Sequence, residues 1–172
     1  GDLTIEGRSL IGLTPKERTL YRKEEVGFVF QFYNLIPDLT VEENIEVVSD
    51  ISESPLDLSE VLGALELEPY RRRFPRELSG GQQQRAAIAR AMIKNPRLLL
   101  CDELTGALDT HSSKNVLQFV EMMNRKYGTT VVIITHNEAI AKMADQIIRI
   151  RDGRVEESVF NEKKIPAEAL EL

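Results

Sequence analysis

Apolar residues fall in two rhythms along the chain. Behind Arg97, Leu98-Leu99-Leu100-Cys101 runs without a polar break, and Val131–Ile134 does the same inside Thr129–Thr135. Unbroken apolar runs of this length read as strands buried on both faces. The first is expected to end at Asp102-Glu103 and the second at His136. Val26-Gly27-Phe28-Val29-Phe30 predicts a third strand that stops at Gln31. Leu3 and Ile5, set among polar neighbours, predict a short strand from Gly1 closed by Glu6-Gly7.

Other segments carry helical spacing and helical punctuation. Thr14-Pro15-Lys16-Glu17 puts a hydroxyl at an N-cap, proline at N1 and a carboxylate at N3, so a helix is expected to about Lys23. Thr40 caps a second helix that begins at Val41, and Asp57 or Ser59 opens a third through Val61, Leu62 and Leu65, after a polar connection over Ser52–Leu58. Pro75-Arg76-Glu77-Leu78 reads as extended. Ser79-Gly80-Gly81 then leads into a strong helix from Gln82 to Lys94, stopped by Asn95-Pro96. Val116, Phe119, Val120 and Met123 form one stripe of a helix over Ser112–Tyr127, with Gly128 where a C-terminal cap belongs. A helix over Asn137–Ala144 and a hairpin of Gln146–Ile150 and Arg154–Phe160, turning at Asp152-Gly153, follow. Asn161–Leu172 reads as a charged tail.

Strands alternating with helices indicate an α/β protein with a parallel sheet. From about Thr40 to Pro75 only helical patterns occur, which predicts a small helical lobe inserted in that core. At 172 residues, with 42% hydrophobic and 29% charged residues, the chain fits one domain with a real core. A net charge of −6 argues against a basic face for nucleic acid. No apolar run approaches the roughly 20 residues of a membrane span, and no charged-then-apolar leader opens the chain. The single Cys101 leaves no internal disulfide and suits a reducing compartment, so the expected location is cytoplasmic. Cys101 itself reads as a small buried hydrophobe.

Three features carry candidate chemistry. Leu78-Ser79-Gly80-Gly81-Gln82 puts a hydroxyl and two unhindered amides at a helix N-terminus, where free N–H groups and the positive end of the dipole favour an anion. A serine cap and a flexible turn would explain Ser-Gly-Gly alone; the longer string, followed by Gln84-Arg85, is more specific. Asp102-Glu103 ends a buried strand, where ligands of open α/β sheets bind, and two adjacent carboxylates there suit a Mg2+ ligand and a base for water. Solvated acids at a strand end are the plainer alternative. His136 ends the other buried strand in the same way; a lone histidine is usually structural, but two strands of one sheet that both end in candidate groups converge on one edge. Gln31, also at a strand end, is equally well explained as a surface glutamine.

In order and spacing, Gln31, Leu78–Gln82, Asp102-Glu103, Ala107-Leu108-Asp109 and His136 resemble the motif series of ABC-transporter ATPase domains downstream of the phosphate loop: Q-loop, signature, Walker B with its catalytic glutamate, D-loop and switch histidine. The resemblance covers about Gly1 to Val155. Gly27–Gln31 with Leu35-Ile36-Pro37, Gln82-Gln83-Gln84-Arg85 and Thr105–Asp109 are similar to the branch serving macrolide and antimicrobial-peptide exporters and lipoprotein-release systems. It implies a RecA-like parallel-sheet core at about 1–39 and 96–160, an inserted α-helical signature subdomain at about 40–95 and a tail at 161–172. ATP and Mg2+ would be bound between two ABC ATPase domains arranged head to tail, at the cytoplasmic face of the cell membrane. Carried over residue by residue, Glu103 would polarise the attacking water and His136 would hold it and the γ-phosphate in line. Asp102 and Gln31 would serve Mg2+. Ser79, Gly80, Gly81 and Gln82 would bind the partner's ATP, and Asp109 would couple the two sites. The Gln31–Pro37 loop would dock on a transmembrane permease subunit; for Phe32, Tyr33, Leu35 and Ile36, core packing and docking weigh equally.

The chain departs from the family pattern twice. It contains no G-x-x-x-x-G-K-[ST] phosphate loop, so the resemblance implies an N-terminal truncation that, as it stands, neither binds ATP tightly nor hydrolyses it. Leu104 stands where the family has a proline, which is expected to loosen the turn at Glu103 slightly. Arg71-Arg72-Arg73 and Arg76 read as a solvated face. Two other functions compete. A DNA-repair or chromosome-organising ATPase lobe would carry a long coiled coil after the Q-loop, whereas Gln31 and Ser79 lie only 48 positions apart with no heptads between them. A non-hydrolysing regulatory relative fits the missing loop but not the intact Glu103, His136 and Ser79.

Overall fold

The computed structural model describes residues 2–5, 7–106 and 108–172; Gly1, Glu6 and Ala107, part of the expected first strand and of the Thr105–Asp109 string, lie outside the described residues. A short hairpin, β1 (Thr4–Ile5) with β2 (Arg8–Ser9), opens the fold where a single strand is expected. Helix α1 (Pro15–Glu25) starts as the sequence dictates: Thr14 Oγ1 accepts the Glu17 N–H at 3.3 Å while Glu17 accepts the Thr14 N–H at 2.7 Å. Strand β3 (Val26–Val29) follows directly. The same reciprocal cap, Thr40 with Glu43, starts α2 (Val41–Ser49), and the Asp57 side chain caps α3 (Leu58–Ala64).

Pro75–Glu77 forms a 3-10 turn instead of the extended segment expected, because proline's fixed φ fits either shape. Helix α4 (Gly80–Met92) begins at the glycines, two residues before the expected start, and ends two residues early. The glycines occupy its first turn, where a strong Ser79 cap outweighs their poor helix propensity. Strand β4 (Leu98–Asp102) leads to α5 (Thr110–Tyr127), capped by Asp109 and closed by Gly128 at φ +69°. Strand β5 (Thr130–Ile134), a short α6 (Glu138–Ala141), and the hairpin of β6 (Gln146–Arg151) with β7 (Arg154–Phe160) complete the order.

Strands β3, β4 and β5 form one parallel sheet in that order, with Val26, Leu98 and Thr130 in register. Helices α4 and α5 pack on one face, against Val29, Leu99 and Cys101. At Gly27 a Cβ would come within 2.9 Å of the Ala91 carbonyl oxygen, so the missing side chain lets α4 sit directly on β3. The opposite face is open. Phe28, Val132 and Ile134 (61% exposed) lie on it, so β5 is half-exposed and not the doubly buried strand its apolar run suggests.

The C-terminal segment is folded. Ala167 and Leu170 are fully buried, and the Ala167 N–H donates to Glu121 of α5 at 3.2 Å. Burying a leucine contributes about 1.5–3 kcal/mol towards holding such a segment down. Arg71 is also more than a solvated charge. It pairs with Glu42 and with Glu68, while Val41 and Glu42 donate their N–H groups to the Arg73 and Arg71 carbonyls. Cys101 is buried, and burial pushes its thiol up to about 12. A maleimide at pH 8 should therefore leave it unmodified for hours in the folded chain and react within minutes in denaturant, as intact-mass measurement would register.

Candidate functional site

In a parallel sheet all carboxyl ends share one edge, and the chain brings Gln31, Asp102-Glu103 and His136 to it from β3, β4 and β5. Local bonding tightens the arrangement. Asp102 is in register with Ile134, and the Glu103 N–H donates to the Ile134 carbonyl at 3.0 Å, extending the strand contact by one residue. Glu103 adopts φ +49°, a left-handed turn, and accepts the Gly106 N–H at 3.1 Å. That turn swings its carboxylate to His136, whose Nδ1 lies 2.9 Å from Glu103 Oε1. The Leu104 side chain that follows is buried in the core, so the turn is anchored by packing where a proline would fix it by φ. Glu103 is largely covered and the His136 side chain is 84% exposed, leaving one side of the pair open to a ligand. Asp102 is exposed beside them. Gln31 lies two residues beyond β3 and is exposed; no hydrogen bond joins it to the other three.

The α4 terminus forms a second cluster. Ser79 Oγ accepts the Gln82 N–H at 3.3 Å, and the Gln82 amide oxygen accepts the Ser79 N–H at 2.8 Å. Among the described residues the Gly80 and Gly81 N–H groups meet no acceptor, which leaves them to an anion. A Cβ on Gly81 would lie 3.0 Å from Ser112 Oγ, so the first turns of α4 and α5 touch there. Ser112 in turn donates to Asp109 from its N–H at 2.9 Å and its hydroxyl at 2.7 Å, and these bonds hold the Asp109 carboxyl below its ordinary range. Asp109 is thus a helix cap as well as a candidate interface residue. No bond joins this cluster to Glu103 or His136.

Among the described residues no group of three or more His, Cys, Asp or Glu could hold a metal by itself. The donors at the sheet edge are oxygen atoms of Asp102, Glu103 and the Gln31 amide. That set fits Mg2+ carried on phosphate oxygens, since this ion is ordinarily held by one or two carboxylates with the substrate completing its shell.

Sequence reasoning missed two residues that shape the loop after β3. Asn44 is fully buried; its Oδ1 accepts the Ile36 N–H at 2.8 Å and its Nδ2 donates to the Ile36, Leu39 and Thr40 carbonyls. Arg90 donates to the Asn34 and Tyr33 carbonyls at 2.7 and 3.2 Å. Neither belongs to a motif that a sequence exposes. Held this way, the loop buries Leu35 partly against the core and leaves Phe32 77% exposed.

The family model described as "ABC transporter" matches residues 1–106. The putative ABC transporter ATP-binding protein MG065 homolog of Mycoplasma pneumoniae is 41% identical over 91% of this chain, which spans 34% of that protein. The macrolide export ATP-binding/permease protein MacB of Escherichia coli is 42% identical over 90% of this chain, which spans 25% of it. The chain therefore spans about a third or less of these two relatives. Among solved structures, the dimer of the ATP-binding cassette MJ0796 in a post-hydrolysis state with ADP and Pi superposes with a TM-score of 0.82 at 36% identity, covering 94% of this chain and 74% of that one. With its strand-end carboxylates, histidine and glycine-led helix tip in the order described, the chain belongs to the ABC transporter ATP-binding family.

Proposed function

We propose that this chain is the portion of an ABC transporter's ATPase subunit that carries the catalytic edge and the signature, and that it couples ATP hydrolysis to export-type membrane transport. The observation that carries the reading is the 2.9 Å contact between Glu103 and His136 at the carboxyl edge of the sheet. Glu103 accepts a proton from water as the water oxygen attacks the γ-phosphorus, and the bond to the β-phosphate oxygen breaks to release ADP and phosphate. His136 orients the water and the γ-phosphate. Most of the acceleration comes from positioning and from charge stabilisation, so few residues suffice. Asp102 and Gln31 would hold Mg2+, which neutralises phosphate charge when bound.

Ser79, Gly80, Gly81 and Gln82 serve a triphosphate held by a second ABC ATPase domain, arranged head to tail. The free Gly80 and Gly81 amides, and the lack of any bond from this cluster to Glu103, support a site completed by another molecule. Asp109, one turn from the Gly81–Ser112 contact, couples the two sites across that interface. The exposed Phe32 and Ile36 support docking of the Gln31–Pro37 loop on a permease at the cytoplasmic face of the membrane. Residues of about 1–39 and 96–160 act as the core lobe and 40–95 as the helical lobe, with 161–172 closing against α5.

The test is turnover. Joined to a phosphate-loop segment, the chain should hydrolyse ATP in the presence of Mg2+, and Ser79→Arg, which fills the anion seat, should abolish the activity while costing only the roughly 0.5–2 kcal/mol that loss of the α4 cap entails. Unchanged turnover in Ser79→Arg removes the signature role, and no turnover by the joined protein removes the ATPase reading.

A further inference from the structure

We propose that Arg90 is a positioning residue that couples the Gln31–Pro37 loop to the Ser79-Gly80-Gly81 end of α4. The proposal deepens the ATPase reading by naming the side chain that joins the two segments. Arg90 is half-buried near the carboxyl end of α4, and the partners of its guanidinium are two main-chain carbonyls of the loop, Asn34 and Tyr33. Burial lowers its pKa, and among the described residues no carboxylate pairs with it. Placing an arginine there carries a desolvation penalty, and the loop carbonyls are what it gains in return. The joint falls at Asn34, at φ +50°, the one left-handed residue of the loop and a type that tolerates that conformation.

The loop has a second hold at Asn44 on α2, so its backbone from Tyr33 to Thr40 is tied to helices. Val26–Val29, by contrast, is bonded into the sheet. Gln31 and Phe32 lie between the two regimes. From Arg90, α4 runs about 15 Å back to Gly80 at the usual helical rise. Ala86–Ala89 in its middle are buried. At one end Gly27 seats Ala91 on β3, and at the other Gly81 abuts Ser112, which Asp109 holds. A close-packed helix moves as a unit, so a shift of the loop that pulls on Arg90 reaches the first turn and its free amides.

An NMR coupling cycle on the full chain tests this and needs no nucleotide, so its outcome is independent of whether ATP is hydrolysed. Phe32→Ala perturbs the exposed end of the loop, and the amide shifts of Ser79, Gln82 and Gln83 report on the first turn of α4. Those shifts should respond to Phe32→Ala in the parent chain, and the response should fall about threefold or more in an Arg90→Gln background. Arg90→Lys should restore most of it, because an ammonium can also serve two carbonyls, as Lys94 does for Arg22 and Lys23 at 2.9 Å each. A response of equal size with and without Arg90, whatever the change in Tm, overturns the proposal; so does no response in the parent. Should Arg90→Gln not hold its fold, Asn34→Gly slackens the same joint from the loop side: a weakened response supports the coupling and an undiminished one overturns it.

Discussion

Replacing Glu103 with glutamine in the chain joined to a phosphate-loop segment should lower ATP turnover by about 10²- to 10⁴-fold, the range typical for losing a general base. The exchange preserves shape and removes only the basic oxygen. The bonds that set the turn are main-chain bonds, Glu103 N–H to Ile134 and Gly106 N–H to Glu103, and they survive it. The glutamine amide can still meet His136 Nδ1, so the edge keeps its form. Binding should persist while hydrolysis stops, and an ATP-bound dimer should accumulate. Single-turnover phosphate release would measure the first effect and size-exclusion chromatography with ATP the second. His136→Ala should also slow turnover, yet with its side chain 84% exposed it should shift stability by no more than about 0.5 kcal/mol. Parent-rate turnover in Glu103→Gln would remove the glutamate from its assigned role.

What the sequence disclosed was mostly what short-range chemistry decides. Thr14 with Glu17 and Thr40 with Glu43 cap helices through bonds three residues apart, so their starts were readable to the residue. Gly128 marked its helix end for the same reason, a left-handed φ that needs no distant partner. The gathering of Asp102, Glu103 and His136 was readable because the strand ends follow from pattern and parallel strands of one sheet end at one edge; the strand order was not. The left-handed turn at Glu103 was not readable, since it depends on a bond to Ile134 across the sheet and on where the Leu104 side chain is buried. Val132 and Ile134 show the same limit. Their apolar run says that burial would be favourable, and only the positions of α4 and α5 decide which face receives it. Asn44 and Arg90 lie furthest out of reach. Their partners are backbone atoms up to 57 positions away, and backbone atoms leave no trace in side-chain identity.

Asn44→Ala should cost about 2–4 kcal/mol, because it removes the partners of main-chain groups that face a fully buried side chain. The native amide, fully buried, gives one acceptor to the Ile36 N–H and donors to three carbonyls. Two of those carbonyls keep other donors in the variant, Ile36 from the Leu39 N–H at 3.2 Å and Thr40 from the Asn44 N–H at 2.9 Å. The Ile36 N–H and the Leu39 carbonyl are left bare, and two such groups account for the range given. Asn44→Asp separates this cause from simple loss of volume. It keeps the acceptor for Ile36 but turns a carboxylate oxygen toward three carbonyl oxygens, so near neutral pH it should lose more than alanine does. Burial and those carbonyls would raise the new carboxyl's pKa in the folded chain. The extra loss should therefore be full well above that raised pKa and shrink as pH falls toward the ordinary aspartate range near about 4. Urea titrations of both variants at pH 7 and pH 5 would measure it. An aspartate variant more stable than the alanine one at pH 7, or one whose deficit grows on acidification, would mean that the amide nitrogen does not face those carbonyls.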